Sequence, residues 1–317
     1  MEDFHYYLCR QLKGGGMEII MKKRLISIAL ASVMALSLAG CGGSAGGTTT
    51  AADTSAPADT TAQVSSEDTT AADDTSTEAA ETAADAGGTL IVGFDQDFPP
   101  MGFIGNDGEF TGFDLELAQE VAKRLGLEYK PQPIAWDAKD MELEAGNIDC
   151  IWNGFTMTGR EDDYAWTEAY MANTQVFVVA KDSGIASQAD LAGKVVECQV
   201  DSSAEAALKE VPDLTATFKN LLTTADYNTA FMDLEQGAVD AIAMDVIVAG
   251  YQIQQRNADF VILDDSLSAE EYGVGFKKDN TELRDKVQKT LEEMAADGTL
   301  KGISEKWFGE DVTTIGK

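Results

Sequence analysis

From Gly42 to Gly87 the chain runs for 46 residues without a lysine, an arginine or an aromatic residue, and nine acids are scattered among its Gly, Ser, Thr and Ala. Such a stretch buries too little apolar surface to offset its ordering entropy and is expected to stay unfolded. It splits the 317 residues and leaves residues 88–317 as the part able to form a core. At ~5–6 Å × √n its typical reach is roughly 35–40 Å. It reads as a leash.

What lies upstream says what the leash is tied to. Met21-Lys22-Lys23-Arg24 is basic, and Leu25 to Leu38 is apolar or small without a charge. That run is too short to cross a bilayer and has the form of a signal peptide. It ends in Leu38-Ala39-Gly40-Cys41, which resembles a bacterial lipoprotein box, in which the cysteine sulfur takes a diacylglycerol before cleavage. The alternative is an ordinary secretory signal with an incidental cysteine. With at least two acyl chains on Cys41, a soluble domain would be held near the membrane. Lys13-Gly14-Gly15 is what a translated ribosome-binding sequence would give, so Met17 or Met21 is the expected start. Residues 1–40 are thus an N-terminal extension and lipoprotein signal peptide, and 41–88 a lipidated cysteine with an acidic linker.

The single histidine, His5, falls in the extension. Without histidine, the mature chain lacks the usual triads, imidazole acid–base chemistry and most zinc sites; no metal or cofactor is expected. From Cys41 onward 52 acids face 18 lysines and arginines, a net charge of −34. Electrostatics alone draws so acidic a chain neither to nucleic acid nor to an anionic membrane surface. Cys150 and Cys198 lie in apolar runs and read as buried free thiols rather than a disulfide.

Residues 88–317 alternate short apolar runs with helical stretches, the pattern of an α/β protein. Strands are expected at 89–94, 148–152, 175–180, 194–199, 214–218, 239–244, 260–263 and 272–277. Helices are expected at 114–125, ended by Gly126, and at 202–210, 225–236, 246–255 and 280–296, with Gly298 after the last. One segment echoes another: Glu144-Ala145-Gly146-Asn147-Ile148-Asp149-Cys150-Ile151 parallels Glu235-Gln236-Gly237-Ala238-Val239-Asp240-Ala241-Ile242. Both read as a helix stop followed by a strand. The first delivers Asn153 to Arg160 beyond its strand, and the second delivers Asp245. Ligands of open α/β sheets sit outside the carboxyl ends of strands, so two such units with opposite charges suggest two lobes facing a cleft. Arg160 is one of only four arginines beyond residue 88, and it follows a strand rather than lying in a polar helix.

The chain from 89 to 317 resembles the bacterial extracellular solute-binding proteins of family 3, the polar amino-acid-binding proteins of ABC importers. The resemblance is carried by Val92-Gly93-Phe94-Asp95 with Phe98-Pro99-Pro100, and by Gly112-Phe113-Asp114-Leu115-Glu116-Leu117-Ala118. It continues through Gly146-Asn147-Ile148-Asp149 into Asn153-Gly154-Phe155-Thr156-Met157-Thr158, then Gln199 with Ser202-Ser203. Asp240-Ala241 through Asp245, and Ala295 with Asp297-Gly298-Thr299, complete it. It implies a two-lobed, type II periplasmic-binding-protein-like α/β fold with two hinge crossings. Lobe 1 would be 89–172 plus 272–317, and lobe 2 would be 173–271.

The resemblance also implies roles. Arg160 would grip the α-carboxylate of a free amino acid through two parallel N–H donors, with Thr156 and Ser203 satisfying the remaining lone pairs. Asp245 and the Gly154 carbonyl would accept from the α-ammonium. Phe98 and Trp136 would wall the ligand, and Asp95, Asn153 and Gln199 would line its side-chain pocket. Each residue also has a plainer use: Asp245, Ser202 or Ser203 as helix caps, Phe98 and Trp136 as core, Arg160 as a surface partner of Glu161 or Asp162. The chain departs from the family pattern twice. Only Gly159 separates Thr158 from Arg160, which re-routes that loop. Asp201 stands where glycine is common and is expected to point outward.

The expected function is therefore extracytoplasmic capture of a free amino acid by lobe closure, with delivery to a membrane permease of an ABC importer. The protein would be a monomer on the outer face of the cytoplasmic membrane, or in a periplasm if the cell has two membranes. The alternatives are an enzyme on the same fold, such as a cyclohexadienyl dehydratase or a lytic transglycosylase, or a surface sensor. Asp95 favours a polar or cationic guest, while Phe98 and Trp136 leave bulky or apolar ones open; glutamine, a basic amino acid and cystine all remain.

Overall fold

A computed structural model describes residues 88–256 and 258–317. The signal peptide, Cys41, the leash and the start codon lie outside the described residues. The chain opens with β1 (Thr89–Phe94), β2 (Asp97–Phe98), β3 (Gly102–Ile104), β4 (Phe110–Thr111), helix α1 (Phe113–Leu125), β5 (Glu128–Pro133) and α2 (Lys139–Ala145). Next come β6 (Cys150–Ile151), β7 (Ala165–Trp166), the ten-residue β8 (Met171–Ala180), β9 (Val195–Gln199), α3 (Ser203–Lys209), α4 (Pro212–Thr215) and β10 (Asn220–Thr224). The rest is α5 (Tyr227–Glu235), β11 (Ala241–Asp245), α6 (Val246–Arg256), β12 (Phe260–Ile262), β13 (Ser268–Tyr272), β14 (Gly275–Phe276), α7 (Thr281–Asp297) and α8 (Thr299–Phe308).

These strands make two principal sheets. The first has the order β5-β1-β6-β14-β7, the second β10-β9-β11-β8-β12 with β13 also paired to β8, and β2-β3-β4 form a small third. In the first, β1 runs parallel to β5 and β6; in the second, β9 runs parallel to β10 and β11. Helices α1 and α7 pack with the first sheet, and α3, α5 and α6 with the second. The chain leaves the first sheet after β7 and returns to it through β14. Its two crossings, β8 and β13, pair antiparallel, with Met171 opposite Tyr272.

The repeated segment is a structural repeat. Gly146 and Gly237 both adopt left-handed backbone, with φ of 75° and 70°, where a side chain would be strained. Three residues later Asp149 and Asp240 each reach sideways to a neighbouring strand. Asp149 Oδ2 accepts from the Ile91 N–H at 2.7 Å, and Asp240 Oδ2 from the Val195 N–H at 2.8 Å. Each motif thus pins its strand, β6 or β11, into the middle of its own sheet.

The expected helices are present to within about two residues at either end, the usual uncertainty of helix termini. Gly126 and Gly298 cap α1 and α7 in left-handed conformations. One expectation is overturned: 214–218 is not a strand. Pro212 starts the short helix α4, and the strand comes later, at β10. Proline at the first helical turn costs no hydrogen bond and pre-sets φ, which outweighs the weak alternation of Leu214 to Phe218. The expected strands at 148–152 and 272–277 shorten to two residues each, whereas 175–180 extends back to Met171. Cys150 and Cys198 are buried free thiols on different sheets.

A candidate ligand-binding cleft

Several strands of the two sheets end at one place. Asp95 follows β1, Asn153 and Gly154 follow β6, Gln199 ends β9, and Asp245 ends β11. Together with Phe98, Trp136, Thr156, Arg160, Ser202 and Ser203 they line a single cavity. All eleven residues singled out from the sequence meet there.

Arg160 lies on the wall of this cavity. The shortened loop is a tight turn in which the Arg160 N–H donates to the Met157 carbonyl at 2.9 Å, with Gly159 at φ 83°. The guanidinium lies over the Phe155 ring, 5.3 Å from its centroid. Nη1 donates to the Thr156 carbonyl at 3.2 Å, and Nη2 reaches the Asp201 carbonyl at 3.5 Å. No carboxylate among the described residues pairs with Arg160, so neither Glu161 nor Asp162 takes its charge.

Asp245 also lines the cavity and is 2% exposed. Its Oδ1 accepts from Asn173 Nδ2 at 2.7 Å and from the Tyr272 hydroxyl at 2.5 Å. These side-chain donors, rather than a helix N–H, are its partners. Burial and then the neighbouring Glu270 carboxylate push Asp245 well above the usual carboxylate range. Glu270 had no place in the sequence reading. Its Oε1 accepts from Thr156 Oγ1, Asn173 Nδ2 and Gln175 Nε2 at 2.7–2.8 Å. The Thr156 hydroxyl is thus spent on Glu270 rather than left for a ligand carboxylate.

The rest of the lining is polar and aromatic. Gln199 Nε2 donates to Asp95 Oδ2 at 2.6 Å, and Asn153 Oδ1 accepts from the Asp95 N–H. Burial lifts Asp95 to about 6, against the lowering effect of the Asp97 N–H and Gln199 bonds. Asn153 Nδ2 is buried and without a partner. Phe98 tilts against Tyr227 at 6.0 Å and Trp136 meets the Phe155 ring at 5.6 Å, so both rings are core and cavity wall at once. Ser202 caps α3, its Oγ accepting the Glu205 N–H at 3.1 Å; Ser203 Oγ accepts from Gln175.

Elements of the two sheets touch across this cleft. Besides Asp95 with Gln199, Asn228 Nδ2 donates to Asp97 at 2.7 Å, and Phe103 packs on Tyr251 at 5.8 Å. The buried Lys139 pairs with Asp201, which is half exposed and turned away from the cavity. Asp201 has φ 56°, the sole positive φ of a non-glycine residue described. That backbone accounts for the ease with which glycine fits there. Glu270, Lys139, Asn173 and Gln175 escaped the sequence reading. The available signal for Glu270 was the alternation of β13, with Glu270 in, Glu271 out and Tyr272 in.

Two sheets joined by two crossing strands, with a buried polar cavity between their strand ends, define a receptor that encloses a small polar guest. The chain belongs to the bacterial extracellular solute-binding proteins, family 3, whose profile matches residues 90–310. It is 34% identical over 229 residues to the L-cystine-binding protein TcyJ of Escherichia coli K12, covering 71% of this chain and 85% of that one. Among solved structures it is similar to an ABC uptake transporter substrate-binding protein from Streptococcus pneumoniae with bound histidine. There the identity is 36%, the TM-score 0.69, and the coverage 71% of this chain and 94% of that one. It is likewise similar to an ancestral arginine-binding protein bound to arginine, at 38% identity and TM-score 0.66, over 70% of this chain and 99% of that one.

Proposed function

We propose that this chain captures a free amino acid between its two lobes and hands it to the membrane permease of an ABC importer. The supporting observation is the presence of opposite charges on one cavity wall: an arginine with no carboxylate partner among the described residues, and a buried carboxylate, Asp245, with no cation partner among them. A zwitterion answers both. Burying either pole unpaired costs several kcal/mol per ion, so a guest lacking its carboxylate or its ammonium is rejected. Asp95, Gln199 and Asn153 between the poles favour a guest with a polar or cationic side chain; the relatives' cystine, histidine and arginine all qualify.

Lobe 1 comprises 89–172 and 272–317 and lobe 2 comprises 173–271, hinged where β8 and β13 cross. Ligand binding to Arg160 draws Asp245 and Ser203 over the guest. The protein is a monomeric, non-enzymatic lipoprotein held by Cys41 on the outer side of the cytoplasmic membrane. A thermal-shift screen of the twenty amino acids plus cystine identifies the guest, and calorimetry on Arg160→Ala tests the site. Removing one partner of a buried charge pair costs roughly 2–5 kcal/mol, so a loss of about thirtyfold or more is expected. An unchanged affinity with the fold intact dismisses the proposed site.

A further inference from the structure

Asp245, on the cavity wall, has a second carboxylate beside it in Glu270, where one amino group calls for one. Asp245 Oδ1 and Glu270 Oε1 each lie 2.7 Å from the same nitrogen, Asn173 Nδ2, and the two carboxyl groups are within hydrogen-bonding reach of one another. Both are enclosed, Asp245 at 2% and Glu270 at 6% exposure. No lysine or arginine among the described residues forms an ion pair with either. From β13 comes Tyr272, from α5 Tyr227, from β8 Asn173 and Gln175, and from the loop after β6 the Thr156 hydroxyl. Tyr170 packs on Tyr272, Arg160 lines one groove with Glu270 but donates to the Thr156 carbonyl rather than to either carboxylate, and Asp95 lines the cavity with Asp245. Two bare carboxylates so close in a dry site repel too strongly for both to ionise.

The amides around the pair are also incompletely satisfied. Asn173 Oδ1 and Gln175 Oε1, in residues at least 98% buried, have no hydrogen-bond partner. Their amide nitrogens are already used, Asn173 Nδ2 on both carboxylates and Gln175 Nε2 on Glu270 and Ser203. What remains beside the pair is a set of acceptors without donors. A primary ammonium, with three N–H groups and one positive charge, completes it.

We propose that Asp245 and Glu270 act as one monoanionic pole that holds a single shared proton and keeps it when the amino group of the bound amino acid arrives. The inference rests on the reading that the cleft takes a free amino acid, and it adds Glu270 as a binding residue and a proton as part of the site. The charges then close: one ammonium against the pole, one α-carboxylate against Arg160. No proton is lost or gained on binding while the free pair is singly protonated. Once alkali has stripped the empty pair, binding takes one proton from solvent. The upward push that burial gives Asp245 agrees with this.

Two measurements test it. The first needs no amino acid: infrared difference spectra of the full chain at pH 8, where Asp95 and Asp114, titrating near 6 and 7, are mostly ionised. The wild type should keep a protonated-carboxyl band that vanishes in both Glu270→Gln and Asp245→Asn. A wild type without the band, or a band persisting in both variants, overturns the shared proton. The second is calorimetry with L-arginine, L-histidine and L-cystine at pH 7, with circular dichroism confirming each fold. Because either amide leaves one negative charge in place, each single variant should lose less than about tenfold in affinity and the double variant more than about a hundredfold. Loss of binding in Asp245→Asn with Glu270→Gln unaffected would assign the pole to Asp245 alone. If the wild type binds none of the three, the amino-acid reading fails, while the infrared result still decides the pair.

Discussion

Gln199 Nε2 reaches across the cleft to Asp95 Oδ2 at 2.6 Å, so a side chain from the end of β9 holds a carboxylate from the end of β1. The two residues are 104 positions apart in sequence, and their contact exists only while the lobes are together. It makes the closed form sensitive to pH. Asp95 rises from an ordinary carboxylate value to about 6, so the folded form binds the proton better than the unfolded chain does. Stability is therefore greatest below about 4 and falls as pH rises through about 6.

Asp95→Asn should remove that slope. Raising a pKa by one costs the ionised form ~1.4 kcal/mol, so the penalty at neutral pH is no more than ~3 kcal/mol. Calorimetric melting from pH 4 to 8 should show the wild type losing ground to Asp95→Asn between pH 4 and 6, with parallel behaviour above 7. A constant difference across the range would remove Asp95 as the titrating group.

The Lys139–Asp201 pair should be worth more than its exposed half suggests. Lys139 is 2% exposed on its side chain and Asp201 53%, so the pair is screened on one side only. Asp201→Gly relieves a left-handed backbone worth roughly 1–2 kcal/mol, yet leaves a buried ammonium without its counter-charge, which costs roughly 3–5 kcal/mol in a fully buried pair and less here. Urea unfolding should show a net loss of about 1–2 kcal/mol, and Lys139→Met added to Asp201→Gly should recover most of it. A stabilised Asp201→Gly would show that the pair contributes less than the backbone strain it accompanies.

Gly154→Ala should do more damage than Gly146→Ala. A Cβ on Gly154 would sit 3.0 Å from the Phe98 ring and 3.2 Å from Tyr272 at φ 55°, whereas one on Gly146 meets nothing within 4 Å. Both carry the left-handed backbone cost of roughly 1–2 kcal/mol, but only Gly154→Ala adds an overpacking term of about 1–3 kcal/mol. It should also weaken amino-acid binding, since Phe98 gives way only into the cavity or against Tyr227. Equal melting temperatures for the two variants would contradict this.

The two strand cysteines should be silent in the native protein. Burial pushes the Cys198 thiol up to about 12 and Cys150 well above its ordinary value, and thiolate is the reactive form. Maleimide at pH 7 followed by peptide mapping should label neither until denaturant is added. Native labelling of Cys150 would mean that the first sheet opens around β6.

Residues whose role is set by their immediate neighbours were legible in the sequence. Gly126, Gly146, Gly237 and Gly298 announced helix ends because left-handed backbone is a local requirement. The repeated Gly-x-x-Asp segment announced two like units because each aspartate pins a strand start. Arg160 and Asp245 announced opposite poles because each follows such a unit. Where local signals conflicted, as at Pro212 just before Leu214 to Phe218, the alternation misled.

Tertiary structure alone decided what distant partners impose. Glu270 sits in the acidic run Glu270-Glu271 and looks like an exposed strand edge; pairing of β13 with β8 sets it beside Asn173 and so beside Asp245. Lys139 looks like an ordinary helix-surface lysine until the other lobe buries it against Asp201. The sequence by itself determined which elements form and which charges stand at their ends, since those follow from a few adjacent residues. Only the fold decided which charges share a dry space, because burial is a property of all the chain that surrounds them.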